Sequence, residues 1–176
     1  DQPRSRGLGD VYKRQGIKGI VGSIPFPEPF EALHHVWNHI LRYRGVEIFG
    51  ASPFYIINPD GSITYGAGEA IAKNYWNPFT NNNKGLQGML MTKVTHPPRL
   101  ADASALVIES LNAFATPRRA WVYNPGTRRV RRAPDIAYDY KPSASQGLTT
   151  TDQFDGFNGA KDRYNWTNKG KQLRLM

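Results

Sequence analysis

Proline and glycine interrupt this chain so often that long regular elements have little room. Thirteen prolines and seventeen glycines are spread over 176 residues. Because proline ends helices and central strands and glycine favours turns, this spacing predicts short strands joined by turns. Apolar residues make up 39% of the chain and aromatic residues 12%, which argues against disorder. We therefore expect one domain, or part of one, with a sizeable core.

One segment carries a helical pattern. In IPFPEPFEALHHVWNHILRYRG (residues 24–45), Pro27 and Pro29 stand where a helix begins and Gly45 where one stops. At about 100° per residue, one stripe of this segment is apolar: Phe30, Leu33, Val36, Trp37, Ile40 and Leu41. The pattern predicts an amphipathic helix of about four turns.

About seven antiparallel strands are predicted after the helix. FYII and SITYG flank the turn NPDG as a hairpin, and residues 162–176 are interpreted as a last strand that is cut off. Thr150 and Gln153 match a capping box and predict a short helix carrying Phe154 and Phe157. The predicted fold class is α+β, with one long amphipathic helix covering a curved antiparallel sheet.

The ends of the chain receive separate interpretations. Residues 1–15, DQPRSRGLGDVYKRQ, have no apolar periodicity and are expected to be a non-native, adaptor-derived leader. Residues 16–176 are expected to be the N-terminal part of a single domain that is truncated at its C-terminus. A signal peptide is expected to be missing from such a fragment.

Composition narrows the possible functions. The formal net charge of +9 favours anionic partners. The chain contains no cysteine, which excludes disulfides, thiolate metal sites and a cysteine nucleophile. No apolar run approaches the roughly 18 residues of a membrane span. Because nucleophile elbows, phosphate loops and dinucleotide fingerprints are also absent from the sequence, we predict a non-enzymatic protein without cofactors.

The segment WVYNPGTRRVRRAP (residues 121–134) places four arginines around one valine, directly after an aromatic strand. A two-residue Pro125-Gly126 loop would place Tyr123 opposite Arg128, Trp121 opposite Val130 and Val122 opposite Arg129. Proline cannot adopt the positive φ of the commonest two-residue hairpin turn, so a longer loop and a shifted register stay open. In the strand, Arg128 and Arg132 share one face, and Arg129 and Arg131 share the other.

Three interpretations of these arginines stay open. An internal ion-pair network would use nearby carboxylates: Asp135, Asp139, Asp152, Asp155 and Asp162. Alternatively, Arg128, Arg129, Arg131 and Arg132 bind anionic headgroups or an acidic partner protein. Nucleic-acid binding is the third interpretation, and the lack of any recognition motif disfavours it.

Two other pairs of polar residues could carry chemistry. His35 and His39 have the spacing of metal ligands on a helix, but no third ligand is evident, so no metal site is predicted. Glu31 is expected to support His35 at i,i+4. Asp152 and Asp155 could form an acid–base pair, although helix capping and ion pairing are the favoured roles. No catalytic residue is predicted.

Three stretches carry a resemblance to a known family: residues 24–45, RRAWVYNPGTRRVRRAPDIAYD and GLTTTDQFDGFNGAKDRYNWTNKGK. Together they resemble the domain-of-unknown-function 1329 family of Gram-negative bacteria, whose members are often labelled outer-membrane lipoprotein-sorting proteins. The resemblance implies a fold similar to the LolA/LolB lipoprotein carriers, which is an unclosed antiparallel barrel with an apolar cavity for acyl chains. It also implies a location in the periplasm or at the outer-membrane periphery.

The resemblance suggests roles for individual residues. Trp121, Tyr123 and Val130 would belong to the sheet near the cavity, and the four arginines would serve its rim or an internal network. The residues expected to contact lipid are Trp37, Trp121, Tyr123, Val130, Phe154, Phe157 and Trp166. The expected partners are lipid or lipoprotein acyl chains and an outer- or inner-membrane transport protein. The alternative is an interaction module that docks an acidic membrane-protein partner through the arginines.

Overall fold

A computed structural model describes residues 24–29, 31–75, 85–112, 115–134, 136, 139–142, 145–159 and 161–173. Over these residues it contains one α-helix, α1 (Ala32–Leu41), and six strands. These are β1 (Glu47–Ile57), β2 (Ile63–Asn74), β3 (Leu86–His96), β4 (Ser104–Ser110), β5 (Arg119–Asn124) and β6 (Arg129–Arg132). Short 3₁₀ turns cover Pro98–Leu100, Thr151–Gln153 and Lys161–Arg163.

The strands form one antiparallel sheet in which each strand pairs with its neighbours in sequence. The sheet is unclosed, with β1 and β6 at its edges, and it is curved. The register divides the side chains between two faces, since neighbours along a strand alternate. The inner face carries Phe54 and Ile56 of β1, Leu90 of β3 and Val107 of β4. The outer face carries Tyr55, Tyr65 and Met91.

Local signals explain the first hairpin. Asn58, Pro59, Asp60 and Gly61 connect β1 to β2, and Gly61 has a φ of +81°, which suits glycine. The amide of Gly61 donates to the carbonyl of Asn58 at 2.9 Å. The prediction of a hairpin at NPDG is therefore confirmed.

Helix α1 is shorter than the sequence pattern predicted. It has 10 residues, which is fewer than three turns at 3.6 residues per turn. The helix ends because Arg42 adopts an extended backbone with a ψ of 142° and Gly45 adopts a φ of +94°, which redirects the chain into β1. The helix buries Trp37, at 3% exposed, and Leu41, at 0%, and Phe26, Leu33, Ile40 and Leu111 pack around them.

Two predictions for the C-terminal part of the chain differ from the structure. The described residues hold six strands rather than about seven, and residues 164–173 form no strand. Instead, the Tyr164 and Trp166 rings both pack against Phe157, so these side chains do not follow the alternation of a strand. The helix predicted after Thr150 is a single 3₁₀ turn, although the Gln153 side chain does accept the Thr150 amide at 3.2 Å. Asp155 and Gly156, both with positive φ, end this turn.

Candidate functional site

Two cavities of about 410 Å³ each open along the inner face of the sheet. They share five lining residues and therefore adjoin, and the two together are called the groove here: Thr92, Ala105, Ile136, Tyr140 and Pro142. One end, called here the helix end, is lined by Arg118, Phe154 and Asn158. The other, called the hairpin end, is lined by Arg99 and by residues 122–126.

The groove is apolar because the sheet alternation places small and aliphatic side chains on its floor. The consecutive strands β3, β4 and β5 supply these side chains: Leu90, Ala105, Val107 and Val122. The segment after β6 lies opposite this floor, and its Ile136 is only 6% exposed. Concave, mostly apolar sites with a few polar groups are the usual form of ligand sites.

A buried ion pair closes the helix end. The Arg118 side chain is 4% exposed, and its Nη2 lies 2.5 Å from Oε1 of Glu109, which is 18% exposed. The same nitrogen donates to the carbonyl of Asn158 at 2.7 Å. A buried charge is tolerated only when it is paired in this way. Glu109 also lines a smaller cavity of about 100 Å³ that adjoins the groove.

Asp155 joins the end of α1 to the C-terminal segment beside that smaller cavity. One terminal nitrogen of Arg42 lies 2.9 Å from both carboxylate oxygens of Asp155, and Arg44 pairs with the same group. The His39 ring nitrogen Nε2 contacts the Asp155 carbonyl at 2.7 Å. Burial lowers the pKa of Arg44, Asp155 opposes that change, and Arg42 adds to it.

The arginine hairpin has a four-residue loop, Pro125–Arg128. The Asn124 side chain accepts hydrogen bonds from the amides of Gly126 at 2.9 Å and Thr127 at 3.2 Å, and Arg128 has a φ of 53°. The register therefore differs from that of a two-residue loop. Tyr123 pairs with Val130, Val122 with Arg131 and Trp121 with Arg132. The longer loop accommodates Pro125, whose ring excludes positive φ.

The register distributes the four arginines over different environments. Arg129 and Arg131 pair with Asn124 and Val122 and share the inner face, whereas Arg132 lies on the outer face. Arg128 lies in the loop rather than in the strand. All of β6 is exposed. Within the described ranges, none of the four guanidinium groups forms an ion pair.

The carboxylates proposed as their partners are used elsewhere. Asp139 pairs with Arg163 at 3.2 Å, and Asp155 pairs with Arg42 and Arg44. Asp152 accepts hydrogen bonds from the hydroxyls of Thr150 and Tyr164. Asp135 and the Asp162 side chain lie outside the described residues. Among the described residues, the network between the hairpin and these carboxylates is therefore not formed, because Arg42, Arg44 and Arg163 pair with two of them and hydroxyl groups bind the third.

The structure also separates the predicted aromatic residues. Phe154 lines the groove at its helix end. Phe157 lines the smaller cavity, with its ring centroid 4.9 Å from that of Trp166. Trp37 is buried in the helix core, and Lys161 Nζ lies 4.1 Å from its ring centroid.

The three hairpin residues expected near the cavity lie mainly on the other face of the sheet. Trp121, Tyr123 and Val130 alternate with the inner-face residues, so they share the outer face. Tyr123 also borders the hairpin end of the groove, and Val130 is 66% exposed. Their position separates them from Phe154.

Sequence reasoning missed most residues of the groove. These are Leu90, Thr92, Ala105, Val107, Val122, Ile136 and Tyr140. For the five on strands, the signal is the alternation within β3, β4 and β5, because it places small and aliphatic residues on a common face; Ile136 and Tyr140 lie outside the strands and carry no such signal. The predicted site consisted mainly of large aromatic residues instead.

The histidine pair is also divided. His35 is exposed, whereas His39 contacts Asp155. Glu31 approaches His34, at 4.0 Å, rather than His35. Across the described part of the chain, no three potential metal ligands cluster. None of the described helices has the length and apolar character needed to cross a bilayer.

Comparisons with known proteins give one family. The profile of "Protein of unknown function (DUF1329)" matches residues 10–176. Uncharacterized protein PA3922 of Pseudomonas aeruginosa is 39% identical over 166 residues, which cover 89% of this chain and 35% of that protein. The chain thus spans about a third of the length of this curated relative. A solved domain from Vibrio parahaemolyticus, described as an outer membrane lipoprotein-sorting protein, aligns with a TM-score of 0.49 and 13% identity over 66% of this chain and 47% of that one.

Proposed function

This chain belongs to the DUF1329 protein family, and we propose that it acts as a carrier that holds an apolar chain of a lipid or lipoprotein in the groove without changing it chemically. The proposal places the protein in the periplasm or at the outer-membrane periphery, as the resemblance to lipoprotein carriers suggests. The apolar groove is the observation that carries the proposal.

The energetics favour simple burial. Each buried methylene contributes about 0.8 kcal/mol, so eight methylenes contribute about 6 kcal/mol before the costs of association. The floor residues Leu90, Val107 and Val122 offer no reactive group to such a chain. The charged groups Arg118 and Arg99 lie at the two ends, where they can fix the position of a ligand but need not react with it.

The predicted lipid contacts take different parts in this proposal. Phe154 contacts the bound chain directly at the helix end. Phe157 and Trp166 support that end from the smaller cavity, and Trp37 supports it from the helix core. Trp121 and Val130 act on the outer face, where they contact a partner or further parts of the full-length protein.

The test uses the full-length protein purified from a bacterial envelope. Native mass spectrometry with lipid extraction should detect co-purifying lipid or lipoprotein. Ala105 lines both cavities, so Ala105→Phe should fill the groove and remove the bound species. Ala51→Phe makes the same change on the exposed outer face of β1 and should leave binding intact. A clean apo mass that persists when lipids are added would contradict the carrier function.

A second candidate function rests on the exposed arginines. Because Arg128, Arg129, Arg131 and Arg132 form no ion pair with any described carboxylate, the hairpin could dock an acidic membrane transport protein. This function predicts binding that weakens with salt and does not respond to Ala105→Phe. Capture of the partner by Ala105→Phe and Ala51→Phe alike, with no lipid present, would favour it.

A further inference from the structure

Two of the four hairpin arginines, Arg129 and Arg131, lie on the inner face of the sheet, whereas Arg132 lies on the outer face and Arg128 in the loop. Arg129 and Arg131 stand directly opposite Asn124 and Val122, and both of these residues line the hairpin end. Directly opposed residues of an antiparallel pair have Cβ atoms about 5 Å apart. The side chains of Arg129 and Arg131 therefore extend the inner face by one strand, at the border of the cavity.

The hairpin end is cationic, whereas the charges at the helix end are neutralised. Arg99 lines the hairpin end and is exposed, and no acidic side chain lines that cavity in the described ranges. At the helix end, by contrast, Arg118 is paired with Glu109. A ligand lying along the groove thus meets an excess of positive charge at one end only.

We infer that the hairpin end binds the anionic headgroup, a phosphate or carboxylate, of an amphiphile whose tail runs along the groove toward Phe154. This inference rests on the proposed function and adds the class and direction of the ligand. Arg129 and Arg131 are two residues apart, which separates them by about 7 Å along the strand. Guanidinium groups at that spacing can hold one headgroup from two sides, since each offers several donors to oxyanions.

Charge complementarity at the end of an apolar groove distinguishes this ligand from a purely apolar one. An uncharged tail gains nothing from Arg99, Arg129 or Arg131. At the helix end, the Arg118 charge is already paired with Glu109, so it offers a headgroup less net attraction. The direction with the head at the hairpin is therefore favoured.

Two matched double variants test the inference by displacement of an apolar fluorescent dye from the full chain. Arg129→Gln with Arg131→Gln removes two charges beside the groove, and Arg128→Gln with Arg132→Gln removes two charges from the loop and the outer face. The probes are dodecyl phosphate and the uncharged dodecanol. The first pair should weaken the binding of dodecyl phosphate by about tenfold or more and leave the binding of dodecanol unchanged. The second pair should change the affinity for either probe by less than about twofold.

The outcomes separate the inference from the proposed function. If both double variants weaken dodecyl phosphate binding equally, the effect is one of general charge, and the inference is overturned. If neither double variant changes the affinity for dodecyl phosphate, the inference is overturned, while the carrier function stands. Inorganic phosphate competing as strongly as dodecyl phosphate would show a site for the free anion and contradict an amphiphile. If neither probe displaces the dye from the unchanged chain, the proposed function fails and the inference fails with it.

Discussion

Asp155 pairs with two guanidinium groups, those of Arg42 and Arg44, and the His39 ring also approaches it. Replacement by Asn keeps the shape and tolerates the φ of 55° but removes the charge. We expect Asp155→Asn to lower the free energy of unfolding by about 1–2 kcal/mol, because two partly buried guanidinium groups lose their anion. Urea unfolding measures this change.

Asp102 provides the matched control at the same scale. It also has a positive φ, 69°, and it pairs with Lys93 at 2.9 Å, but both groups are well exposed. Because solvent screens exposed pairs, Asp102→Asn should reduce stability less than Asp155→Asn. Equal losses for the two variants would contradict a special role for the Asp155 cluster.

The pair of Asp152 and Tyr164 predicts a pH dependence. Hydrogen bonds from the hydroxyls of Thr150 and Tyr164 lower the pKa of Asp152, and the bond to Asp152 raises the pKa of Tyr164. A carboxyl group with a lowered pKa stabilises the fold above its unfolded value of about 3.9, and this contribution is lost as the pH falls through the lower folded value. Tyr164→Phe should therefore destabilise the protein at neutral pH and have a shrinking effect toward roughly pH 2.

Urea unfolding of the parent and of Tyr164→Phe across this pH range measures the difference. Thr150→Val, which removes the other donor, should show the same trend. A difference that stays constant from neutral pH to acid would contradict a hydrogen bond to the ionised Asp152 carboxylate as its cause, since the substitution keeps the ring that packs on Phe157 and Trp166.

At the scale of the element, the β1–β2 hairpin depends on a glycine under an aromatic ring. Gly66 pairs with Phe54, and a Cβ on Gly66 would lie 2.1 Å from the tip of that ring. Gly66→Ala should therefore cost about 1–3 kcal/mol of unfolding free energy, because the ring must move. Gly50→Ala in the same hairpin meets nothing within 4 Å and should be neutral or slightly stabilising.

A second substitution separates ring displacement from a general effect on the strand. In a Phe54→Ala background, Gly66→Ala should cost little, since the ring that it would strike is gone. An undiminished cost in that background would mean that the backbone of β2, and not the Phe54 ring, requires glycine.

At the scale of the whole molecule, the net charge of +9 acts on any anionic ligand before contact. If the groove binds an anionic amphiphile, the association rate of dodecyl phosphate should fall several-fold when salt rises from on the order of 10 mM to on the order of 300 mM. The dissociation rate should change much less, because contacts inside the groove are apolar. Stopped-flow dye displacement measures both rates, and equal salt effects on dodecanol would contradict electrostatic attraction.

The sequence by itself determined the features that depend on local chemistry. The turn residues of NPDG predicted the first hairpin, and Thr150 with Gln153 predicted the cap at Thr151–Gln153. Residues 24–45, 118–139 and 147–171 together predicted the family. Periodicity, turn conformation and capping involve residues a few positions apart, so their physical causes are present in short stretches of sequence.

The tertiary structure alone decided the length of α1, the hairpin register, the partners of the carboxylates and the composition of the groove. Arg42 leaves the helix and pairs with Asp155, which lies 113 residues later. The two extra loop residues move each pairing by two positions, so Val122 faces Arg131 instead of Arg129, while Arg129 and Arg131 stay on the inner face. Ile136 and Tyr140 enter the groove from outside the sheet. Contacts between distant segments make these choices, and a one-residue shift in register moves every side chain of a strand to the opposite face.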